Sequence, residues 1–319
     1  VTRRGVLQAA AAALAGALLP ACGGGSDSGS DDGVPVGRDT LLQLLQQDSR
    51  FSLFLEAAGR AGLTATLASA AENLTLFAAE NAAFDALAER LGRGNGAGLL
   101  ATLSDDQWGS ILRFALLSQR RSLGSLRPSA RVDTRYQYRG DAAQLIFVTD
   151  NGRFNLWDGV GRTSIALPRS DIAASNGVLH VASDVLLPRG VLTVSQMLRA
   201  SIDSFSDFAG SMSTSDIALL DGTGPFTLFA PVNNAVTAPL SSNLVRHHAM
   251  TGPELDGDDF PVQATLAPVF GRQLVLRSGS NAIVLATLSY GSSVQANVTD
   301  VDFFASNGVI HVIDAVIPL

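Results

Sequence analysis

Few side chains in this chain are equipped for chemistry. Its four histidines are His180, His247, His248 and His311, and its one cysteine is Cys22. Two carboxylate-rich stretches add Asp27, Asp31 and Asp32 near the start, and Asp256, Asp258 and Asp259 later. Holding a metal requires ligands that converge on one point. His247 and His248 are adjacent, so they face opposite sides of a strand or lie about 100° apart on a helix, and they chelate one ion poorly. The early aspartates lack the alternating ligands and distal glutamate of a calcium loop, and the later three sit in a Gly-containing stretch that reads as a solvated turn. His180 and His311 stand in alternating apolar runs, where a hydrogen-bonded structural role is the expectation. The sequence contains no H-E-x-x-H, C-x-x-C or G-x-S-x-G pattern. These residues predict no metal site, no cofactor and no catalytic constellation. Trp108 and Trp157 would suit stacking on a sugar ring if exposed, although side chains of this size are commonly buried.

The charge inventory narrows the functional classes further. All 22 residues of the Lys+Arg total are arginine. Without lysine, a Schiff-base amine, a pyridoxal-phosphate anchor and a P-loop lysine are impossible. A net charge of −7 and the lack of a compact basic stripe argue against nucleic acid as a partner. Arginine and alanine enrichment fits a GC-rich coding sequence.

The first residues read as an address. Arg3 and Arg4 form a positive start, residues 6–19 are apolar, and Leu19, Pro20 and Ala21 precede Cys22. An apolar stretch of about fourteen residues is too short to cross a bilayer core as a helix. Residues 1–21 are therefore expected to be a signal peptide. Its LPAC end resembles a bacterial lipobox, which implies a lipidated Cys22 as the mature terminus. The arginine pair also resembles a twin-arginine signal, with Val6 in place of the usual phenylalanine. Residues 22–36, rich in Gly, Ser and Asp, cannot repay their ordering entropy and are expected to form a flexible linker.

The remainder repeats itself. ASNGVLHV at 174–181 returns as ASNGVIHV at 305–312, and TLFAAENAAF at 75–84 is matched by TLFAPVNNAV at 227–236. The same order in both halves indicates a duplicated domain. The expected boundaries are 37–188 and 190–319, joined at Pro188, Arg189 and Gly190. Helices are expected after an Asp39 or Thr40 cap and after a Ser49 cap, where Phe51, Phe54, Leu55 and Ala58 make one apolar face. A third is expected from an Asn81 cap, carrying Phe84, Leu87, Ala88 and Leu91. Strands follow: 144–149 turning at Asn151-Gly152 into 153–157, and 274–277 turning at 278–281 into 282–285. Asn176-Gly177 and Asn307-Gly308 read as tight turns entering strands. Helices first and strands after predict an α+β fold with mostly antiparallel sheets.

The TLFA-type and NGV-type segments together resemble the fasciclin, or FAS1, domain. That family carries a front motif T-x-F-A-P-x-x-x-A-F and a closing motif N-G-V-I-H-V-I-D-x-V-L-P. Here these are residues 75–84 and 227–236, then 176–188 and 307–318, with Asp314 at the acidic position. The resemblance implies two tandem domains, each a β-wedge with packed helices. It also implies a Tyr-His pair between the motifs that is associated with adhesion. In the second unit His248 keeps the histidine and His247 stands for the tyrosine; residues 111–117 of the first unit have neither. Ala79 replaces the proline and Val236 the phenylalanine.

The expected function is that of a non-enzymatic, lipid-anchored envelope protein mediating adhesion or protein and matrix binding. Its partner would be a protein or an extracellular-matrix or polysaccharide ligand. Its place would be the outer membrane, on the periplasmic or surface side. Asn176, Gly177, His180, Asn307, Gly308, His311, His247, His248 and Asp314 are its motif candidates, and Cys22 is its lipidation site. The rival expectation is a periplasmic or surface carbohydrate-binding module using Trp108 or Trp157, or an uncharacterised hydrolase working through acidic residues.

Overall fold

The computed structural model describes residues 34–126, 131–150, 153–160, 165–257, 260–279, 285–290 and 293–319. The signal segment, Cys22, most of the linker, the Asn151-Gly152 turn, Asp258, Asp259 and residues 280–284 lie outside the described residues.

The first half opens with three short helices, α1 (Leu41–Gln46), α2 (Ser52–Arg60) and α3 (Thr64–Ala68), and reaches strand β1 (Leu74–Ala79). Helices α4 (Asn81–Arg90), α5 (Gly96–Thr102) and α6 (Asp105–Phe114) then lead to β2 (Leu116–Leu117). Strands β3 (Arg131–Tyr138), β4 (Asp141–Asp150), β5 (Arg153–Trp157) and β6 (Ile165–Ala166) form one antiparallel sheet. The chain returns through β7 (Arg169–Ala174) and β8 (Gly177–Ala182) to a sheet of order β2-β1-β8-β7.

The second half repeats the plan in shorter form. It runs through α7 (Val194–Ala200), α8 (Ile202–Gly210), α9 (Thr214–Leu220), β9 (Phe226–Pro231), α10 (Ser242–His247) and β10 (Ala249–Thr251). Strands β11 (Gln263–Leu266), β12 (Leu274–Ser278), β13 (Ala286–Tyr290), β14 (Ser293–Ala305) and β15 (Gly308–Ile313) complete it. Here all strands join one sheet of order β10-β9-β15-β14-β13-β12-β11. The strand that pairs with β12 begins at Ala286, later than the 282–285 segment expected from sequence.

Local chemistry explains the helix starts and corrects two of them. Thr40 caps α1 in a capping box with Gln43, and Thr193 caps α7 in the same way with Gln196. Ser49 is not a cap: Asp48 accepts the Arg50 amide and starts a short 3₁₀ turn that runs into α2. Asn81 is likewise the first residue of α4, and its side chain instead accepts the Leu53 amide at 3.0 Å and donates to Ser49 O at 3.1 Å. Asn233, at the same motif position in the second half, accepts the Asp207 amide at 3.1 Å.

The sheets are mostly antiparallel, as expected, but their central pair is parallel in both halves. The front-motif strand β1 lies beside the closing-motif strand β8, pairing Leu74 with Gly177 and Phe77 with His180. Strand β9 lies beside β15 in the same register, pairing Phe226 with Gly308 and Phe229 with His311. Every residue of these four strands is buried. The two segments that the chain writes twice are therefore spatial neighbours at the centre of each domain, flanked by antiparallel strands.

The tight turns lie one residue earlier than the Asn-Gly pairs. The two-residue hairpin loops are Ser175-Asn176 and Ser306-Asn307, and each glycine is the first residue of a strand. A Cβ on Gly177 would sit 2.3 Å from Leu74 O, and one on Gly308 2.2 Å from Phe226 O, so both glycines admit a close backbone approach. Asn176 Oδ1 accepts the Leu41 amide at 2.9 Å, while its Nδ2 donates to Leu67 O and Ser69 O at 3.0 Å each. Asn307 repeats this, accepting from Val194 N at 2.9 Å and donating to Leu220 O at 2.8 Å and Gly222 O at 2.6 Å. One side chain thus binds the start of the first helix to the end of the third in each domain.

From Val34 to Leu319 the described residues form one compact unit. Its largest apolar cluster draws on both halves, from Leu41 and Phe84 through Val191 and Met197 to Ile310. Smaller clusters fill the two strand-rich ends, around Phe147 and Leu156 in one and Leu276 and Leu288 in the other. Across the junction, Gln107 donates to Val191 O at 3.0 Å, Tyr136 to Arg189 O at 3.0 Å, and Ser201 to Val160 O at 3.2 Å. Replacing Asn307 by alanine would leave a buried amide and two carbonyls without their partner. The expected loss is about 2–4 kcal/mol by urea unfolding, and Asn176→Ala should match it. A loss under about 1 kcal/mol would show that neighbouring groups replace the clamp.

Candidate functional site

The polar residues of the two motifs converge on a single backbone residue in each domain. In the first, Thr75 Oγ1 accepts the Arg121 amide at 2.8 Å, and His180 Nε2 donates to the Arg121 carbonyl at 3.0 Å. Asp171 closes the arrangement: its amide donates to His180 Nδ1 at 3.2 Å, and its carboxylate accepts the Leu123 amide at 2.7 Å. In the second, Thr227 Oγ1 accepts the Leu255 amide at 3.1 Å and His311 Nε2 donates to its carbonyl at 2.8 Å. The Asp302 amide donates to His311 Nδ1 at 3.4 Å, and its carboxylate accepts the Gly257 amide at 2.7 Å. The amide donation to Nδ1 fixes both imidazoles as the Nε2–H tautomer.

Backbone geometry aims the aspartates. Asp171 and Asp302 have positive φ, 57° and 69°, within the register shifts where β7 meets β8 and β14 meets β15. Each bulge turns one amide toward the histidine and the carboxylate toward the loop. Neither aspartate belongs to the repeated motifs read from the sequence. They were nonetheless legible, because both precede their histidine by nine positions, and extending the repeat upstream from ASNGV reveals them.

Burial governs the histidines. His180 and His311 have no exposed surface and pack against Phe77 and Phe229, with ring centroids 5.2 and 5.5 Å apart. Desolvation pulls the His180 pKa down and the His311 pKa to about 4, against the opposing pull of the carbonyl bonds. His248 is also fully buried, with its pKa lowered to about 4 by desolvation. Its Nδ1 donates to Leu244 O at 2.8 Å and its Nε2 accepts the Ile317 amide at 3.0 Å. His247 is buried too, and its Nδ1 lies 2.7 Å from Phe270 O. The two rings stand nearly perpendicular, 85° apart, each turned to its own backbone partner. Ala115 and Phe114 occupy their places in the first domain, since Phe77 N donates to Ala115 O as Phe229 N donates to His248 O.

The remaining candidates are dispersed. Asp314 is exposed and accepts both the amide and the side-chain nitrogen of Asn297, at 2.8 and 2.6 Å. Trp108 is fully buried, its ring stacked 5.7 Å from Phe84, so no sugar reaches it. Trp157 is 43% exposed. Asp256 lies 4.0 Å from Arg139, and the other two aspartates of its cluster are outside the described residues. Among the described residues, no three His, Cys, Asp or Glu side chains are grouped to hold a metal ion. No described helix is long and apolar enough to cross a membrane.

The fasciclin-domain family model matches this chain twice, at residues 49–188 and 203–318. The chain belongs to the fasciclin family. Its fold is that of a tandem FAS1 domain pair. Human Stabilin-1 is 31% identical over 166 residues, which is 45% of this chain and 6% of that protein. Mouse Stabilin-1 is 29% identical over 179 residues, or 48% of this chain and again 6% of the relative. A solved FAS1 domain pair from the insect cell adhesion molecule fasciclin I is similar over 87% of this chain and 96% of its own, with 17% identity and a TM-score of 0.40. The chain thus corresponds to a small part of the Stabilins. In both fasciclin domains the motif threonine, histidine and asparagine are anchors of the scaffold.

The buried imidazoles make stability depend on pH. In the unfolded chain His248 and His311 take up protons near pH 6.5, whereas in the folded protein they stay neutral down to about pH 4. Stability is therefore undiminished above about 6.5 and falls as the pH drops from there toward 4, by about 1.4 kcal/mol per pH unit for each histidine. His248→Ala, which copies the first domain, should flatten that fall in urea titrations. An unchanged slope would mean that His248 titrates alike in both states.

Proposed function

We propose that this chain is a non-enzymatic binding module of the cell envelope, in which two fasciclin domains present their outer faces to a protein or matrix partner in adhesion. The observation that carries this reading is the inward use of the motif side chains. His180, His248 and His311 are buried with both ring nitrogens engaged by backbone groups, so they are spent as anchors and are not available as acids, bases or ligands. Recognition then falls to exposed loops and strand faces held by that scaffold. Family membership supports the adhesive part of the reading.

The N-terminal sequence supports the anchor. Acyl chains at Cys22 would hold the domains on a bilayer at about 0.8 kcal/mol per buried methylene, and the Gly/Ser/Asp linker to residue 36 would give them reach. Radiolabelled palmitate should enter the wild-type chain and be lost in Cys22→Ser. Cells lacking the protein should attach less well to a surface or matrix, and the Cys22→Ser form should fail to restore attachment. Undiminished attachment without the protein would defeat the adhesive role, and an unlabelled wild-type chain would defeat the anchor alone.

A further inference from the structure

Arginines at the junction of the two domains differ in their partners. Arg90 donates to both carboxylate oxygens of Asp184 at 2.7 and 2.8 Å, and Arg139 pairs with Glu254 across the junction while covering the Phe304 ring at 4.5 Å. Arg93 follows α4 of the first domain and Arg199 lies in the last turn of α7 of the second. Among the described residues neither guanidinium has a hydrogen-bond or ion-pair partner, and Arg93 Nε is buried without one.

The ending of α4 brings them together. Gly92, with φ of 66°, donates to Glu89 O at 2.9 Å, and the Arg93 amide donates to Ala88 O at 2.7 Å, which is the Schellman arrangement. The bare Cα of Gly92 makes room for Arg199, because a Cβ there would lie 2.5 Å from Arg199 Nη2 and 3.6 Å from its Cζ. Arg199 therefore packs on the residue next to Arg93, and the two like charges repel: the Arg199 pKa is lowered first by burial and then by the charge of Arg93. The acid that opposes this, Asp221, turns its carboxylate to the Ser195 hydroxyl at 2.5 Å and to the Thr193 hydroxyl. The Schellman bonds already use the Ala88 and Glu89 carbonyls at this helix end. Both side chains are only half-buried, so solvent reaches them.

We propose that Arg93 and Arg199 form an oxyanion site at the seam between the two fasciclin domains, built for a sulfate- or carboxylate-type group. Two neighbouring guanidiniums without an ion-pair partner supply the forked donors that such groups accept, and an anion between them relieves both the repulsion and the unpaired Nε. Each domain gives one arginine, so the site exists only in the pair. It does not depend on the adhesive reading, because an oxyanion could bind there whatever the outer faces do.

The test titrates the full chain with sodium sulfate against sodium chloride at matched ionic strength, following the arginine Nε–Hε signals by NMR. Saturable shifts at Arg93 and Arg199, with sulfate affinity weakened about tenfold in Arg93→Gln and in Arg199→Gln, are the expected result. Shifts no different from those in chloride would overturn the site, and this native-chain readout stands even if a variant folds poorly. Equal sulfate affinity in folded variants would also overturn it. Galacturonate and polygalacturonate distinguish the source of the group: markedly tighter binding of the polymer assigns the site to an acidic polysaccharide, and equal binding per carboxylate to a free ion.

Discussion

Each domain depends on holding one half-buried stretch of irregular backbone. The connection after β2, and its counterpart after β10, lies against the central parallel strands and is half-buried at Arg121 and Leu255. Regular sheet pairing cannot satisfy such a segment, and an unpaired buried amide or carbonyl costs about 1–3 kcal/mol. Thr75 and His180 take the amide and carbonyl of Arg121, and Thr227 and His311 take those of Leu255. The threonine comes from the front motif and the histidine from the closing motif. Parallel pairing of their strands is what allows two segments about a hundred residues apart to grip one residue. The asparagine clamp sits at the start of the same strand pair, next to the threonine, and ties the helical layer to it.

That arrangement accounts for the types of the repeated residues. A threonine offers an acceptor on a β-branched side chain suited to a strand. A neutral histidine accepts at one nitrogen and donates at the other, so it links a strand bulge to a loop without burying a charge. Asp171 and Asp302 must reverse the local backbone to present both amide and carboxylate, and Asp tolerates positive φ better than most residues. Because the network saturates the histidines, their number and placement say little about ligands.

Much of this was legible in the sequence, and the failures have definite causes. The paired motifs disclosed two domains of mixed helix and strand, and the Thr40 cap and the apolar face of Phe51 and Phe54 appear where periodicity placed them. Periodicity reports which face of a segment is buried, not its neighbour, so the parallel contact of β1 with β8 was invisible. Asn176-Gly177 read as a turn because that dipeptide favours one. In the fold the asparagine is consumed by three distant backbone groups and the glycine by a close strand approach. Asn81 misled for a related reason: it resembles a cap in sequence, but Leu53 and Ser49 capture its side chain. Trp108 lies in the core because Phe84 stacks on it, a contact that no local pattern encodes.

The two copies differ where they meet, and the difference lies in chain length: 27 positions separate Phe84 from Ile111, but only 8 separate Val236 from Leu244. Phe84 fixes α4 by stacking on Trp108 of α6. In the second domain the equivalent of Phe84 is Val236, and counting back from the aligned 244–250 segment puts Ser241 at the place of Trp108. Ser241 caps α10 there, so that helix starts about a turn later. With that much less chain before α10, the second copy makes only a 3₁₀ turn at Asn233–Ala235 where the first builds α4 and α5. The first domain therefore keeps two helices that the second lacks, and α4 packs against α7 of its neighbour. The junction is asymmetric as a result: one copy supplies an extra helix end with its glycine and Arg93, and the other supplies Arg199. The two scaffolds share the same internal grip, and the extra helices of the longer copy give the seam between them a surface that neither domain has alone.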